Sequence, residues 1–144
     1  MASVKWAAGT LTSLLTTQLN SLASGSLTAL GAEFDNTSGL YLFGDFQLDV
    51  TFASAPTVNT PVTLYLVPEP DGSNYNFGGS SAAWAGFIVG GWQMMNINTQ
   101  QLLTIRGIPL PPTKFKIQVL NATNQAMPSS GTTVKMLPYY YQIV

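Results

Sequence analysis

The acidic side chains are the first candidates for chemistry, because the 144-residue sequence has six of them and neither histidine nor cysteine. A glycosidase needs two carboxylates about 5 to 9.5 Å apart across a cleft. Asp45 and Asp49 share one face of a predicted strand, where their backbones lie about 13 Å apart. Glu33 and Asp35 lie about 7 Å apart, but they stand at a turn, where carboxylates normally bond the backbone. A hydrolase would therefore require a cleft that joins carboxylates from different strands.

Nucleophilic, metal and phosphate chemistry also lack their usual residues. Without histidine, only lysine could activate a serine, and no Ser-x-x-Lys motif occurs. The stretch from Asp71 to Asn74 lacks the alternating ligands and distal glutamate of a calcium loop, and we expect a turn with a positive φ at Gly72. The glycine pairs at 78–79 and 90–91 form no phosphate-binding pattern. The sequence therefore predicts a protein that is not an enzyme and carries no cofactor or metal.

Aromatic side chains are the remaining candidates, since Tyr and Trp form interfaces at little cost in entropy. Three consecutive tyrosines in an extended chain cannot all face inward. The residues predicted to contact a protein partner are Lys5, Trp6, Tyr75, Phe77, Tyr139, Tyr140 and Tyr141. If the partner is instead a glycan, the rings predicted to stack on sugars are Trp84 and Trp92. Tyr75 and Phe77 could also cover an end of their own molecule.

Composition narrows the class of partner. Hydrophobic residues make up 46% of the chain and charged residues 8%, with a net charge of −1, so a nucleic-acid partner is not expected. No apolar run approaches the roughly 20 residues that span a bilayer, and the leucines near the N-terminus are too interrupted for a signal peptide. We expect a protein made in a cytoplasm that functions within an assembly, because a weakly charged surface gives little repulsion between copies.

Alternating hydrophobicity predicts the strands. The clearest runs from Leu40 to Phe52, with Gly44 on its apolar side as a candidate bulge or bend. A later strand begins near Thr133 and is expected to change phase at Pro138. The other predicted strands are Leu27–Phe34, Val62–Val67, Phe87–Met95, Leu102–Arg106 and Lys114–Val119.

The strands predict an all-β fold. We expect an antiparallel β-sandwich, specifically a jelly roll, over residues 27–144, because seven or eight strands are separated by turns and no long helix occurs. Residues 1–26 are predicted to form either an N-terminal arm or a short helix. Leucines at helical spacing favour the helix, while the intervening Ser and Thr favour the arm.

Three stretches of the chain carry motifs that are distinctive in combination and weak singly. They are Leu-Tyr-Leu-Val-Pro at 64–68 followed by Asp-Gly-Ser-Asn-Tyr at 71–75, Ile-Pro-Leu-Pro-Pro-Thr-Lys-Phe-Lys at 108–116, and Leu-Asn-Ala-Thr-Asn-Gln-Ala at 120–126. With these motifs the chain resembles a family of small virion proteins of tailed bacteriophages, and the resemblance covers the chain from about Trp6 to its end.

The resemblance implies a role in the virion. Small jelly-roll proteins of such phages are proposed to be capsid decoration, or cement, proteins, which bind the outside of the head, often as trimers. The implied partners are the major capsid protein and other copies of the chain, and the implied location is the capsid exterior, after assembly in the host cytoplasm. The alternative is a tail or adsorption component that binds host glycans.

Overall fold

Two antiparallel sheets make up nearly all of the regular structure. The computed structural model describes residues 2–75 and 87–144. The strands are β1 (Val4–Ala8), β2 (Thr12–Leu15), β3 (Phe34–Asp35), β4 (Phe43–Val50), β5 (Pro61–Pro68), β6 (Phe87–Gln93), β7 (Gln101–Pro109), β8 (Lys114–Asn121) and β9 (Thr133–Ile143). Sheet A has the order β1-β9-β4-β7, with β2 also paired to β9, and sheet B has the order β3-β8-β5-β6.

The core lies between the two sheets, and the predicted all-β sandwich is confirmed. In β4, buried side chains alternate with half-buried ones along the whole strand, as the sequence pattern predicts for a strand with one face on a core. Sheet A contributes Phe46, Leu48 and Met136 to this core, and sheet B contributes Leu64 and Ile117. The jelly-roll connectivity stays a prediction.

The outer face of sheet B is covered along β5 and β8, whereas Phe87 and Ile88 of its edge strand β6 are exposed. Tyr65 and Val67 of β5 and Gln118 of β8 point away from the core, yet each is buried. The Gln118 amide donates a hydrogen bond to the Thr28 carbonyl at 2.9 Å, which ties residues near the N-terminus to this sheet. Tyr65 thus faces outward, as the alternation of β5 predicts, and is nevertheless shielded from solvent.

The first residues are extended. Among the described residues 2–26, the helical structure is a single 3-10 turn, Thr17–Leu19, while β1 and β2 both pair with β9. The segment predicted as a strand from Leu27 to Phe34 is irregular until β3. This segment lies alongside β8 and is joined to it by an isolated bridge between Leu27 and Leu120 and by a hydrogen bond from the Gly31 amide to the Ile117 carbonyl.

A bulge bends sheet A where β4 meets β7. One residue of β4, Asp45, lies opposite two residues of β7, Arg106 and Gly107. The extra residue thus belongs to β7 rather than to the strand of Gly44, where the bulge was expected. Gly107 has a φ of +70°, a conformation that glycine adopts without the penalty of a Cβ. Its amide donates to the Asp45 carboxylate at 2.9 Å.

Strand β9 keeps its register through Pro138. Pro138 stays opposite Gly44 of β4, and Tyr139 stays opposite Phe43, so the predicted change of phase is wrong. On the other side, the Pro138 carbonyl accepts the Gly9 amide at 2.7 Å, although the proline nitrogen has no N–H to donate. Consequently Tyr139, Tyr141 and Ile143 all lie on the outer face of sheet A.

Candidate functional site

Four aromatic rings form a cluster on the outer face of sheet A, which we call the aromatic face. The register places Trp6 of β1 opposite Tyr141 of β9, and Phe43 of β4 opposite Tyr139. The ring centroids of Trp6 lie 4.3 Å from Tyr141 and 5.1 Å from Tyr139, and Phe43 lies 5.7 Å from Tyr139. Trp6 remains 60% exposed and Tyr141 49% exposed. The rings are thus held by one another and are still open to a partner.

A shallow, widely open cavity of about 380 Å³ lies beside these rings. Its lining residues come from β1, β4, β7 and β9, and they are Trp6, Ala8, Asp45, Arg106, Leu137 and Tyr139. Ligand-binding cavities are typically about 300 to 1,000 Å³ and combine apolar walls with a few polar groups. The aromatic face and this cavity therefore form the candidate functional site.

The polar groups of the cavity are positioned by the bulge. The carboxylate of Asp45 is held by the Gly107 amide, and burial, with a further contribution from Asp45, raises the pKa of Tyr139. Part of the contribution from Asp45 is a hydrogen bond, so the hydroxyl of Tyr139 is directed toward that carboxylate. Arg106 is exposed, and within residues 2–75 and 87–144 it forms no ion pair, since the one found there joins Lys114 to Glu33 on the other sheet. Its guanidinium is therefore available to a ligand.

Tyr75 lies on the opposite side of the molecule, against sheet B. Its hydroxyl donates a hydrogen bond to Glu33, and the ammonium group of Lys116 lies 4.3 Å from the centre of its ring. Lys114 completes the group with a 3.2 Å ion pair to Glu33. Of the two roles left open for Tyr75, these contacts correspond to covering its own sandwich. Phe77 lies outside the described residues.

The two tryptophans predicted to stack on sugars do not provide a platform. Trp92 is only 2% exposed, because its ring fills the core and its indole N–H donates to the Phe46 carbonyl of the opposite sheet at 3.2 Å. The assignment of Trp92 to a glycan surface is therefore corrected. Trp84 lies outside the described residues.

Lys5 and Tyr140 belong to the other side of sheet A. They alternate with Trp6 and Tyr141 along β1 and β9. Lys5 is exposed at the edge of the sheet, and Tyr140 is half-buried with its ring 5.6 Å from that of Tyr41. The structure thus brings Trp6, Tyr139 and Tyr141 together and separates them from Lys5, Tyr140 and Tyr75.

Three more of the six carboxylates accept hydrogen bonds from neighbouring segments of the chain. Asp35 accepts bonds from Thr37, Asp49 accepts the Gln100 amide at 3.0 Å, and Asp71 accepts the backbone amides of Ser73 and Asn74. The bonds within that turn lower the pKa of Asp71 to about 2. Among residues 2–75 and 87–144, no group of three or more potential metal ligands comes together, and no helix has the length and hydropathy to cross a membrane.

Sequence reasoning missed Phe43, Asp45 and Arg106 as parts of the candidate site. Phe43 lies on the outward side of β4, where the other side chains are polar. An aromatic residue at such a position was the feature of the sequence that could have indicated a contact surface. Arg106 is the one arginine of the chain, a type enriched in protein interfaces. Comparisons with known protein families and with curated proteins find no match to this chain.

Proposed function

We propose that this chain is a structural protein of a phage virion, most simply a capsid decoration protein that docks on the outside of the head through its aromatic face. The observation that carries the proposal is the ring cluster of Trp6, Phe43, Tyr139 and Tyr141 next to Arg106, in which Trp6 and Tyr141 are exposed. Trp, Tyr and Arg are the residues that most often dominate binding energy at protein interfaces. The resemblance to small virion proteins supplies the kind of partner.

The outer faces of β5 and β8 in sheet B are more covered than those of β1 and β9 in sheet A, which supports this docking direction, although Phe87 and Ile88 on the edge strand β6 are exposed as well. On sheet B the outward Tyr65 and Val67 are buried, and Lys116 is covered by the ring of Tyr75. On sheet A the outward Trp6 and Tyr141 are open. An ordinary interface of about 800 Å² per partner, repeated over a lattice, would stabilise a shell without any single strong contact.

Co-sedimentation with phage heads that lack the protein tests the proposal. We expect the wild-type chain to pellet with heads in hundreds of copies, while Trp6→Ala and Tyr141→Ala each weaken binding by about tenfold or more. Val58→Ala is the matched control, because Val58 is also exposed but lies between β4 and β5, away from the face. Failure of the folded wild-type chain to pellet, or equal loss in the Val58 variant, would refute it.

A glycan-binding role in adsorption is the second candidate, now at a different place from the one that the sequence suggested. Trp6 offers an exposed ring beside the carboxylate of Asp45 and the guanidinium of Arg106. A ring for stacking with planar polar groups for hydroxyls is a suitable arrangement for a sugar. A glycan array separates the candidates: saturable binding abolished by Trp6→Ala, without binding to heads, favours adsorption.

A further inference from the structure

Strand β1 forms an edge of sheet A. It pairs with β9 on one side, and among residues 2–75 and 87–144 no strand pairs with its other side. Val4 and Trp6 are 66% and 60% exposed. Natural proteins usually shield such an edge, because its unpaired backbone groups can accept another strand.

The hydrogen bonds to β9 identify which backbone groups of β1 are unpaired. Ser3 and Val144 exchange two bonds of 2.9 Å, and the Gly9 amide bonds Pro138 at 2.7 Å. Bonded and non-bonded pairs alternate along an antiparallel ladder, so Ser3, Lys5, Ala7 and Gly9 direct their N–H and C=O groups toward β9. The groups that point to the open edge are therefore those of Val4, Trp6 and Ala8.

We propose that β1 pairs with β1 of a second copy, antiparallel about a two-fold axis at Trp6. In this register Trp6 lies opposite Trp6 of the other copy, and Val4 lies opposite Ala8. All three residues with unpaired groups are then bonded on both copies, in an isologous contact. The proposal goes beyond docking on a head, since the partner is the chain itself and the surface is an edge rather than the aromatic face.

The charges of the edge select this register. Lys5 lies opposite Ala7 of the other copy when Trp6 is at the axis. A register centred on Lys5 would place two ammonium groups directly opposite each other, which destabilises a cross-strand pair. A register centred on Ala7 leaves Val4 without a partner within β1. Of these three registers, only the one centred on Trp6 gives hydrogen-bond partners to the backbone groups of Val4, Trp6 and Ala8 and also keeps the two Lys5 side chains from lying directly opposite each other.

The pairing also joins the two aromatic faces. Trp6 lies on the same face of sheet A as Tyr139 and Tyr141, so the two Trp6 rings would connect both clusters across the axis. Five residues extend about 17 Å, and such an edge contact buries much less than the roughly 1,600 Å² of a standard interface. The dimer is therefore weak in solution and gains occupancy where many copies sit on one lattice.

Cysteine cross-linking tests the register, because the chain has no cysteine of its own. Residues opposite each other in a bonded pair have Cα atoms about 5.5 Å apart, within the range of a disulfide. A mixture of Val4→Cys and Ala8→Cys proteins should therefore form a disulfide-linked heterodimer at least about tenfold faster than either variant alone. Lys5→Cys mixed with Ala8→Cys is the control, since residue 5 lies opposite residue 7. Equal rates in all mixtures would overturn the pairing.

A blocking variant tests the same contact without cross-links. Ala8→Pro removes an N–H that points to the open edge, and edge strands tolerate proline there, whereas Ala8→Ser keeps the donor. By sedimentation equilibrium of the purified chain, without heads, we expect a concentration-dependent dimer for wild type and Ala8→Ser, and a dissociation constant at least about tenfold higher for Ala8→Pro. Circular dichroism verifies that both variants are folded. A stable trimer, or a dimer unchanged by proline, refutes the proposal, whatever the outcome with phage heads.

Discussion

Glu33 connects the chain after β5 to the edge of sheet B. Its carboxylate accepts the hydroxyl of Tyr75 and pairs with Lys114. These contacts lower the pKa of Glu33 below its ordinary value of 4.5, with the Tyr75 hydrogen bond as the largest cause and the bond to Lys114 next. The group therefore stabilises the fold above pH 4.5 and loses that contribution as pH falls through its lowered pKa.

Replacing the tyrosine should reveal this coupling. In Tyr75→Phe we expect the pKa of Glu33 to rise toward its ordinary value while staying below it, because Lys114 remains. Lys114→Met should also raise it, because it removes both a hydrogen bond and a favourable positive charge. Carbon NMR of the Glu33 carboxyl measures both values. A pKa that is unchanged in Tyr75→Phe would contradict the contact.

Trp92 illustrates how a single polar atom positions a core ring. Its N–H bonds the Phe46 carbonyl across the sandwich, so Trp92→Phe should lose about 1 to 3 kcal/mol of unfolding free energy, by urea denaturation. Trp92→Ala should lose about 3 to 5 kcal/mol, because it also leaves a cavity. If Trp92→Phe left stability unchanged but weakened binding to a glycan array, Trp92 would be a sugar-stacking residue after all, and its assignment to the core would be wrong.

At the scale of elements, the bulge of β7 positions the polar part of the candidate site. Gly107 has a φ of +70°, and a Cβ added there would meet only the Tyr139 hydroxyl at 3.8 Å. The cost of Gly107→Ala is therefore conformational, about 1 kcal/mol of unfolding free energy. Gly107→Asn is the matched control, because Asn tolerates this conformation better. Equal stability of wild type and Gly107→Ala would show that the bulge does not require glycine.

The elements with strong alternation were predictable from sequence, and those with mixed signals were not. Strand β4 was found because its buried and outward side chains alternate without interruption. The N-terminal leucines suggested a helix because Leu14, Leu15 and Leu19 have helical spacing. They are all buried in the structure, and the neighbours Leu14 and Leu15 can both be buried because the register of β2 shifts between Ser13 and Leu15. A tertiary irregularity of this kind leaves no periodic pattern.

The candidate site was only partly predictable, because its assembly depends on tertiary structure. The rings of Trp6, Tyr139 and Tyr141 could be selected by residue type, but their assembly depends on which strands are neighbours. β1 and β4 flank β9, and this order brings Trp6 and Phe43 to the same tyrosines. Residues so far apart in the chain meet only through strand order, which local sequence does not encode.

For the molecule as a whole, the scarcity of charge predicts how docking should respond to salt. The chain has a net charge of −1 and 8% charged residues, and the proposed docking surface consists mainly of rings. Apolar contacts are not screened by ions, whereas contacts between exposed charges weaken once the Debye length falls to about 3 Å near 1 M salt. Co-sedimentation with heads should therefore change by less than about threefold between 0.1 and 1 M sodium chloride.

The single arginine supplies the internal control for that measurement. Arg106→Gln removes the one cation lining the cavity beside the rings, so any residual salt dependence of the wild-type chain should disappear in this variant. Trp6→Ala should instead weaken binding at every salt concentration by a similar factor, because it removes apolar contact. A steep fall in wild-type binding with salt would mean that charge rather than the aromatic face holds the protein on its partner, and the docking proposal would then be wrong.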